Sequence, residues 1–272
     1  MVYNLKIKKF ANNKQQIILY GYPIHKNDKI SQLLADKANI TKSKTNHKTN
    51  DNEKLHSIYN SKSRTIKSIY DLARANDWDY FVTMTFNPEK VNRKNYDDVI
   101  HAMQLYIKTL KKHCKDFVYL IVPELHKDNR SWHLHGLFKY IDSRLLVDSG
   151  KRTKDGDIIY NLLTWDFGWT TVTKVNDNDR VVRYMTKYIT KDLCIDTMYR
   201  NRFYCSRNIK RHEENDLYYS VHEIDSLMDD IKNNVLYVKS IEFGDSNVIY
   251  LEVENMSTYF DYHSLSCNFS EI

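Results

Sequence analysis

The chain contains few of the residues that interrupt or cross-link a fold. Its 272 residues include only 6 Gly and 3 Pro, while 42% are hydrophobic, which excludes a fibrous or low-complexity polypeptide. Its 4 Cys are widely spaced without a CxxC pair, so the sequence suggests neither a disulfide framework nor a cysteine zinc knuckle. No apolar run is long enough to cross a bilayer. We therefore expect a globular, cytoplasmic protein without a membrane partner.

Charge and aromatic content leave the choice of partner open. The chain has 41 Lys and Arg against 35 Asp and Glu, and this net charge of +6 suits a nucleic-acid partner but is common among ordinary proteins. The 21 Tyr are more informative, because aromatic rings among basic residues form the usual platform for stacking unpaired bases. The alternative is a compositional drift towards Asn, Lys, Ile and Tyr in an AT-rich genome.

The order of strand and helix patterns predicts the fold class. Alternating or continuous apolar residues predict a hairpin within residues 3–24 and further strands at 80–86, 117–122, 132–140 and 169–175. Helical spacing predicts helices from a cap at Ser61 or Ser63 to about Asn76, at 99–110 and at 179–193. The helices fall between strands without a strict βαβ repeat. This order predicts an α+β sandwich with a mostly antiparallel central sheet and flanking helices.

Composition shifts divide the chain into three parts. Residues 41–60 have little apolar content and repeat Lys, Asn, Ser and Thr, which predicts a loop or connection. We therefore expect a hairpin and polar connection at 1–60, a main domain at 61–210 and a C-terminal extension at 211–272. The extension has the pattern of a helix near 221–231 followed by two strands, and it carries no recognisable chemistry.

Two histidines on one predicted strand are candidate metal ligands. His133 and His135 alternate with Leu134, so both imidazoles project from one face and the leucine from the other. Glu124 ends the preceding predicted strand and adds a carboxylate if the two strands pair. Such a set leaves coordination positions open for water and a phosphate oxygen. Alternatively, both histidines are merely exposed to solvent. His126 is interpreted as a solvated loop residue rather than a further ligand.

A basic helix carries the candidate nucleophiles. Within the helix predicted at 179–193, Tyr184 and Tyr188 are one turn apart, as are Lys187 and Lys191, so all four can share one side opposite the apolar stripe. A phenol has an unperturbed pKa of about 10 and needs a nearby cation to become a useful nucleophile at neutral pH. The alternative is a helix that binds the phosphate backbone and has no catalytic role.

These segments, taken in order, resemble the motifs of one enzyme family. Residues 81–86 (FVTMTF) are similar to its hydrophobic first strand, residues 133–135 to its His-hydrophobe-His metal motif, and residues 184–191 to its tyrosine motif. Glu124 occupies the place of the upstream acidic ligand. The combination resembles the HUH endonucleases, specifically the replication initiators (Rep) of small single-stranded DNA phages and rolling-circle plasmids. Two flanking segments, 75–78 and 202–207, also resemble phage initiators.

The resemblance implies a fold, a reaction and a set of partners. The fold is an HUH-type ferredoxin-like sandwich, and the reaction is nicking of DNA through a 5′-phosphotyrosine intermediate, followed by strand transfer. The substrate is single-stranded DNA or a melted origin hairpin, and a host helicase and polymerase in a bacterial cell are the implied partners. HUH-type transposases share this order of motifs, and a non-catalytic single-strand-binding protein is a further alternative.

The resemblance also assigns roles to individual residues. Glu124, His133 and His135 are the implied ligands of Mg²⁺ or Mn²⁺. Tyr188 and Tyr184 are the implied nucleophiles, and Tyr188 is favoured for the first cut because residues 187–191 are similar to the KYxxK form of single-tyrosine plasmid initiators. Lys187 and Lys191 are expected to orient the metal or phosphate, or to lower the pKa of a phenol.

Overall fold

The computed structural model describes residues 2–10, 14–25, 51–126, 131–198, 200–243 and 246–254. Of these residues, 2–25 and 212–254 form one compact unit, and 51–211 form the other. In order along the chain, the main elements are β1 Val2–Lys9, β2 Lys14–His25, α1 Asp51–Arg74, β3 Tyr80–Phe86, α2 Tyr96–His113, β4 Val118–Leu125, β5 Trp132–Lys139, β6 Leu146–Arg152, β7 Ile158–Leu162, β8 Gly168–Lys174, α3 Asn178–Thr186, α4 Lys191–Asp196, β9 Tyr204–Cys205, β10 Glu213–Leu217, α5 Val221–Ile231, β11 Val235–Phe243 and β12 Ser246–Glu254. None of the described helices combines the length and apolar character that crossing a membrane requires.

The unit built from the two chain ends is a five-stranded antiparallel sheet with one helix on it. Its strand order is β10-β1-β2-β12-β11. One face of β1 and β2, which includes Leu5 and Ile17, packs against Leu227 and Ile231 of α5. The predicted N-terminal hairpin and the predicted C-terminal helix and strands are confirmed. Pairing of β1 with β10 and of β2 with β12 joins chain ends that the sequence pattern presents as separate parts.

The larger unit is built on a seven-stranded sheet with the order β6-β7-β8-β3-β5-β4-β9. Each pair of neighbouring strands in it is antiparallel, so the predicted α+β fold with a mostly antiparallel sheet and flanking helices is confirmed. On β3, Met84 and Phe86 are fully buried in the core that also contains the apolar stripe of α2. Trp165 links the two layers, because its ring contacts both Phe86 and Tyr106. The opposite face of β3 is therefore the one that is available for a functional site.

Two predictions about helices are wrong. The helix predicted at 179–193 is divided, because α3 ends at Thr186 and the side chain of Thr190 accepts the backbone N–H of Leu193, which caps a new helix, α4. Residues 51–60, predicted as part of a loop, belong to α1, whereas 41–50 lie outside the described residues. Where the side chains of this part of α1 are described, they are mostly exposed and polar, and this polarity imitates that of a loop.

The flanking segment 75–78 has a structural role at the end of α1. The Asn76 side chain donates to the carbonyls of Leu72 and Lys210, at 2.8 and 3.0 Å, and accepts the N–H of Lys210 at 3.1 Å. Trp78 Nε1 donates to the Ala73 carbonyl at 2.8 Å. These bonds satisfy carbonyl groups that the end of a helix leaves without partners.

Truncation of Asn76 should therefore destabilise the larger unit. Asn76→Ala leaves the buried Leu72 carbonyl without its side-chain partner, at a cost of about 1–3 kcal/mol, and removes two part-buried bonds to Lys210, so we expect a loss of about 2–4 kcal/mol in the free energy of unfolding. Asn161→Ala, at an exposed position, should stay within about 0.5 kcal/mol of the wild type. Chemical unfolding of the three proteins measures the difference, and equal stabilities would contradict this role of Asn76.

Candidate active site

Two neighbouring strands bring the predicted metal ligands to one face of the larger sheet. β4 and β5 are antiparallel, with Glu124 paired to His133 and Val122 paired to His135. Directly paired residues of antiparallel strands project to the same side. The strand pairing that brings Glu124 to the two histidines is therefore present, and all three side chains share the face opposite Leu134.

His135 is held in place from both sides of its ring. Its Nε2 lies 2.6 Å from Glu124 Oε2, and its Nδ1 lies 3.1 Å from the hydroxyl of Thr83 on β3. Phe81, also on β3, stacks against the imidazole with ring centroids 5.8 Å apart. His135 is 7% exposed, so this imidazole is a fixed part of the site and not a solvated surface group.

The charges of this cluster keep Glu124 ionised and favour neutral His133. Burial raises the pKa of Glu124, but the hydrogen bond with His135 and the electrostatic effect of the nearby imidazoles outweigh it and hold this pKa below its usual value. Burial is the largest cause that lowers the pKa of His133, and His126 and His135 lower it further. The ring of His126 lies 5.0 Å from that of His133. A carboxylate and a neutral imidazole are the forms that bind metal ions.

Tyr188 lies directly on the histidine face. Its ring stacks on that of His135 with centroids 3.7 Å apart and an interplanar angle of 4°. It is only 7% exposed, so the expectation that neither tyrosine belongs to the core is wrong for Tyr188. Burial, followed by a hydrogen bond with the Tyr184 hydroxyl, raises the pKa of Tyr188 well above that of a free phenol.

Tyr184 lies beside Tyr188 in a more open position. The two rings meet edge to face with centroids 5.2 Å apart, and Tyr184 also contacts Phe81 at 5.6 Å. Tyr184 is 44% exposed. The structure therefore brings both predicted tyrosines to the predicted histidines. Tyr188 is in contact with His135, and Tyr184 lies next to Tyr188 at a more exposed position.

The predicted lysines are separated by the break between α3 and α4. Lys187 caps the C-terminus of α3, and its Nζ lies 5.6 Å from the centre of the Tyr184 ring. Lys191 begins α4, and its side chain lies outside the described part of the structure. The expectation that four side chains share one face of a continuous helix is wrong. The short turn at 187–190, with i to i+3 backbone hydrogen bonds, is what places Tyr188 on His135.

Three residues of the site were not singled out from the sequence. Thr83 and Phe81 contact His135, and the alternation of β3 already placed them together on the face opposite Val82 and Met84. Arg93 lies close enough to His133 to lower its pKa, and its carbonyl accepts the N–H of Trp132. No sequence pattern could have identified Arg93, because its position depends on the connection between β3 and α2.

Glu124, His133 and His135 have the donor chemistry of a divalent-metal site. Two imidazoles and one carboxylate suit several divalent cations. Among the described residues, however, no group of three or more His, Cys, Asp or Glu side chains is arranged to hold a metal ion. A carboxylate has no proton to donate, so Nε2 of His135 donates in its bond with Glu124. Binding of a metal ion by all three residues would require Nε2 of His135 to lose this proton and its direct bond to Glu124.

The second flanking segment, 202–207, is structural like the first. The Arg202 guanidinium donates to the Ser61 hydroxyl at 2.5 Å and to the Cys194 carbonyl at 3.1 Å, which ties α1 to α4. Its Nε donates to the Thr197 hydroxyl at 3.2 Å. Arg202 thus fixes the segment that follows Tyr188, without contacting the site itself.

Comparison with known proteins supports a role in replication. Residues 79–193 match the model of a family described as replication-associated protein ORF2. The match begins one residue before β3 and ends within α4, so it covers the histidine strands and both tyrosines but less than half of the chain. It supports a Rep-like replication initiator. Neither the curated proteins nor the solved structures gave a significant match to this chain.

Proposed function

We propose that the protein is a metal-dependent tyrosine DNA nickase and strand transferase that initiates rolling-circle replication. One observation carries the proposal: the ring of Tyr188 stacks on His135, which hydrogen bonds to Glu124 on the face that also bears His133. A candidate nucleophile thus contacts a candidate metal ligand, although the two are more than fifty residues apart in the sequence. The match to a replication-associated family supports the same function.

In the proposed reaction, the phenolic oxygen of Tyr188 attacks the phosphorus of one DNA phosphodiester. A bond forms between this oxygen and phosphorus while the bond between phosphorus and the 3′ oxygen breaks. The phenolic proton passes to solvent, and the 3′ oxygen takes up a proton from solvent to become a free hydroxyl. The phosphotyrosine bond at the 5′ end conserves the energy needed for later rejoining, in which the two bond changes are reversed.

Glu124, His133 and His135 are the residues that would hold Mg²⁺ or Mn²⁺. When bound, such an ion supplies positive charge that polarises the scissile phosphate and favours the ionised phenol. The residues of the chain supply the rest: Thr83 and Phe81 fix the orientation of His135, and the stack on His135 fixes the ring of Tyr188. Accurate positioning of this kind is a large part of catalysis in phosphoryl transfer.

Positive charge close to the site suits a polyanionic substrate. Lys187 lies over the Tyr184 ring, and Arg93 lies near His133. We expect Lys187 to contact a phosphate next to the scissile one or to favour the ionised form of a neighbouring phenol. For Lys191, the same roles remain predictions.

Incubation with labelled single-stranded DNA and Mn²⁺ tests the proposed function. We expect a protein–DNA adduct that survives denaturant, because a phosphotyrosine bond is covalent, and we expect a chelator to reduce adduct formation by about 1,000-fold or more, since a metal ion contributes several kcal/mol to such reactions. A random pool of oligonucleotides supplies the unknown cleavage sequence. Binding without any adduct would instead indicate a non-catalytic single-strand-binding protein.

A further inference from the structure

Trp169 is the exposed member of the four Trp in the chain. Trp78, Trp132 and Trp165 are all buried in the larger unit, whereas Trp169 is 63% exposed. Within the described residues, Trp169 makes no aromatic or cation–π contact. A large aromatic ring that is mostly exposed gains little for folding and is accessible to a ligand.

The position of Trp169 connects it to the candidate active site. It lies on β8 and pairs with Thr85 of β3, just as Thr171 pairs with Thr83. Thr83 is the residue whose hydroxyl bonds to His135. Since paired residues project to the same side and alternate residues share a face, Trp169 lies on the face that carries the histidines and both tyrosines.

This part of the sheet face is open. Tyr184 covers Phe81 at one end of β3, and Tyr188 covers His135, but at the other end Trp169 and Thr171 are exposed. β3 lies between β8 and β5, so Trp169 is two strand spacings, about 10 Å, from the strand that bears the histidines. A chain of single-stranded DNA with its phosphate at the histidines can therefore reach Trp169 with a neighbouring base.

We propose that Trp169 is a stacking subsite for an unpaired DNA base close to the scissile phosphate. This inference rests on the proposed function for the position of the phosphate, but the stacking itself needs neither metal nor cleavage. An aromatic ring stacks on bases of any sequence, because every base presents a π face. The subsite would hold and orient the strand and would discriminate little between bases.

An abasic scan tests this subsite without cleavage. Binding is measured in a chelator, with oligonucleotides that each lack one base around the cleavage position or, if no cleavage occurs, along the strongest-binding sequence. We expect loss of one particular base to weaken binding by the wild type about 5- to 150-fold. Trp169→Ala should weaken binding of the intact strand by a similar factor and remove the sensitivity at that position.

Matched controls distinguish base stacking on Trp169 from a general effect of losing an exposed apolar side chain. Leu163→Ala removes a side chain that is equally exposed, at 62%, on the connection before β8, and it should bind DNA as the wild type does.

DNA should quench the tryptophan fluorescence of the wild type but not that of Trp169→Phe, because the other Trp are buried. Undiminished sensitivity to the abasic position in Trp169→Ala overturns the inference, as does unaltered binding of the intact strand by this variant. Absence of the covalent adduct in the wild type contradicts the proposed function alone.

Discussion

Replacement of both His133 and His135 by Ala should abolish cleavage while most oligonucleotide binding remains. The two imidazoles and Glu124 are the donors on the site face, and a metal ion contributes several kcal/mol to the stabilisation of a phosphoryl-transfer transition state. This corresponds to a loss of about 1,000-fold or more in the single-turnover rate of adduct formation. Binding depends mainly on phosphate contacts from Lys and Arg, which the double mutation leaves in place.

Two further variants make this experiment specific for metal binding. Glu124→Gln keeps the size of the side chain but removes the negative charge beside His135, and it should lower the rate in the same way. His126→Ala removes the neighbouring imidazole that is predicted not to be a ligand and should keep most of the rate. Circular dichroism checks that the double mutant, which loses the two hydrogen bonds of His135 and its stack with Tyr188, remains folded. Unchanged nicking in the folded double mutant would refute the metal site.

The larger sheet was predictable from the sequence because its strands have clear periodicity. The strand at 80–86 was predicted with the observed bounds, since Val82, Met84 and Phe86 alternate with polar or half-buried residues. The hairpin formed by β6 and β7 was not predicted, because β6 is mostly exposed and contains Gly150, and β7 is short with only Leu162 buried. The joining of both chain ends in one sheet was equally hidden, because pairing between distant strands leaves no local pattern.

The composition of the candidate site was predictable, but its packing was not. Alternation along β5 was sufficient to place His133 and His135 together, and the pairing of β4 with β5 adds Glu124. The position of Tyr188 depends on the turn after α3, which the continuous helical pattern of 179–193 conceals. A single helix would have kept both tyrosines on one exposed face. The turn instead buries Tyr188 against His135 and leaves Tyr184 more open.

Removal of one hydroxyl group should identify which tyrosine cuts DNA first. Tyr188→Phe keeps the ring that stacks on His135 and loses only the nucleophile. We expect it to lose nearly all covalent adduct on a short single-turnover substrate, by about 1,000-fold or more, as removal of an enzyme nucleophile does. Tyr184→Phe should retain adduct formation. Both variants keep their ring contacts, so each serves as the packing control for the other.

The hydrogen bond between the Tyr184 and Tyr188 hydroxyls increases the expected difference in rate between the two variants. Burial and this bond raise the pKa of Tyr188, so loss of the Tyr184 hydroxyl removes one of the causes that oppose ionisation of Tyr188. Tyr184→Phe should therefore be no slower than the wild type in the first cut, although it should be defective in a second transfer if the two phenols alternate.

Peptide mapping of the adduct identifies the tyrosine that carries the DNA. DNA attached only at Tyr184 would reverse the assignment, in which case the stack of Tyr188 on His135 supports the histidine rather than the chemistry. Attachment at neither tyrosine would exclude both as nucleophiles and leave the proposed covalent step without support.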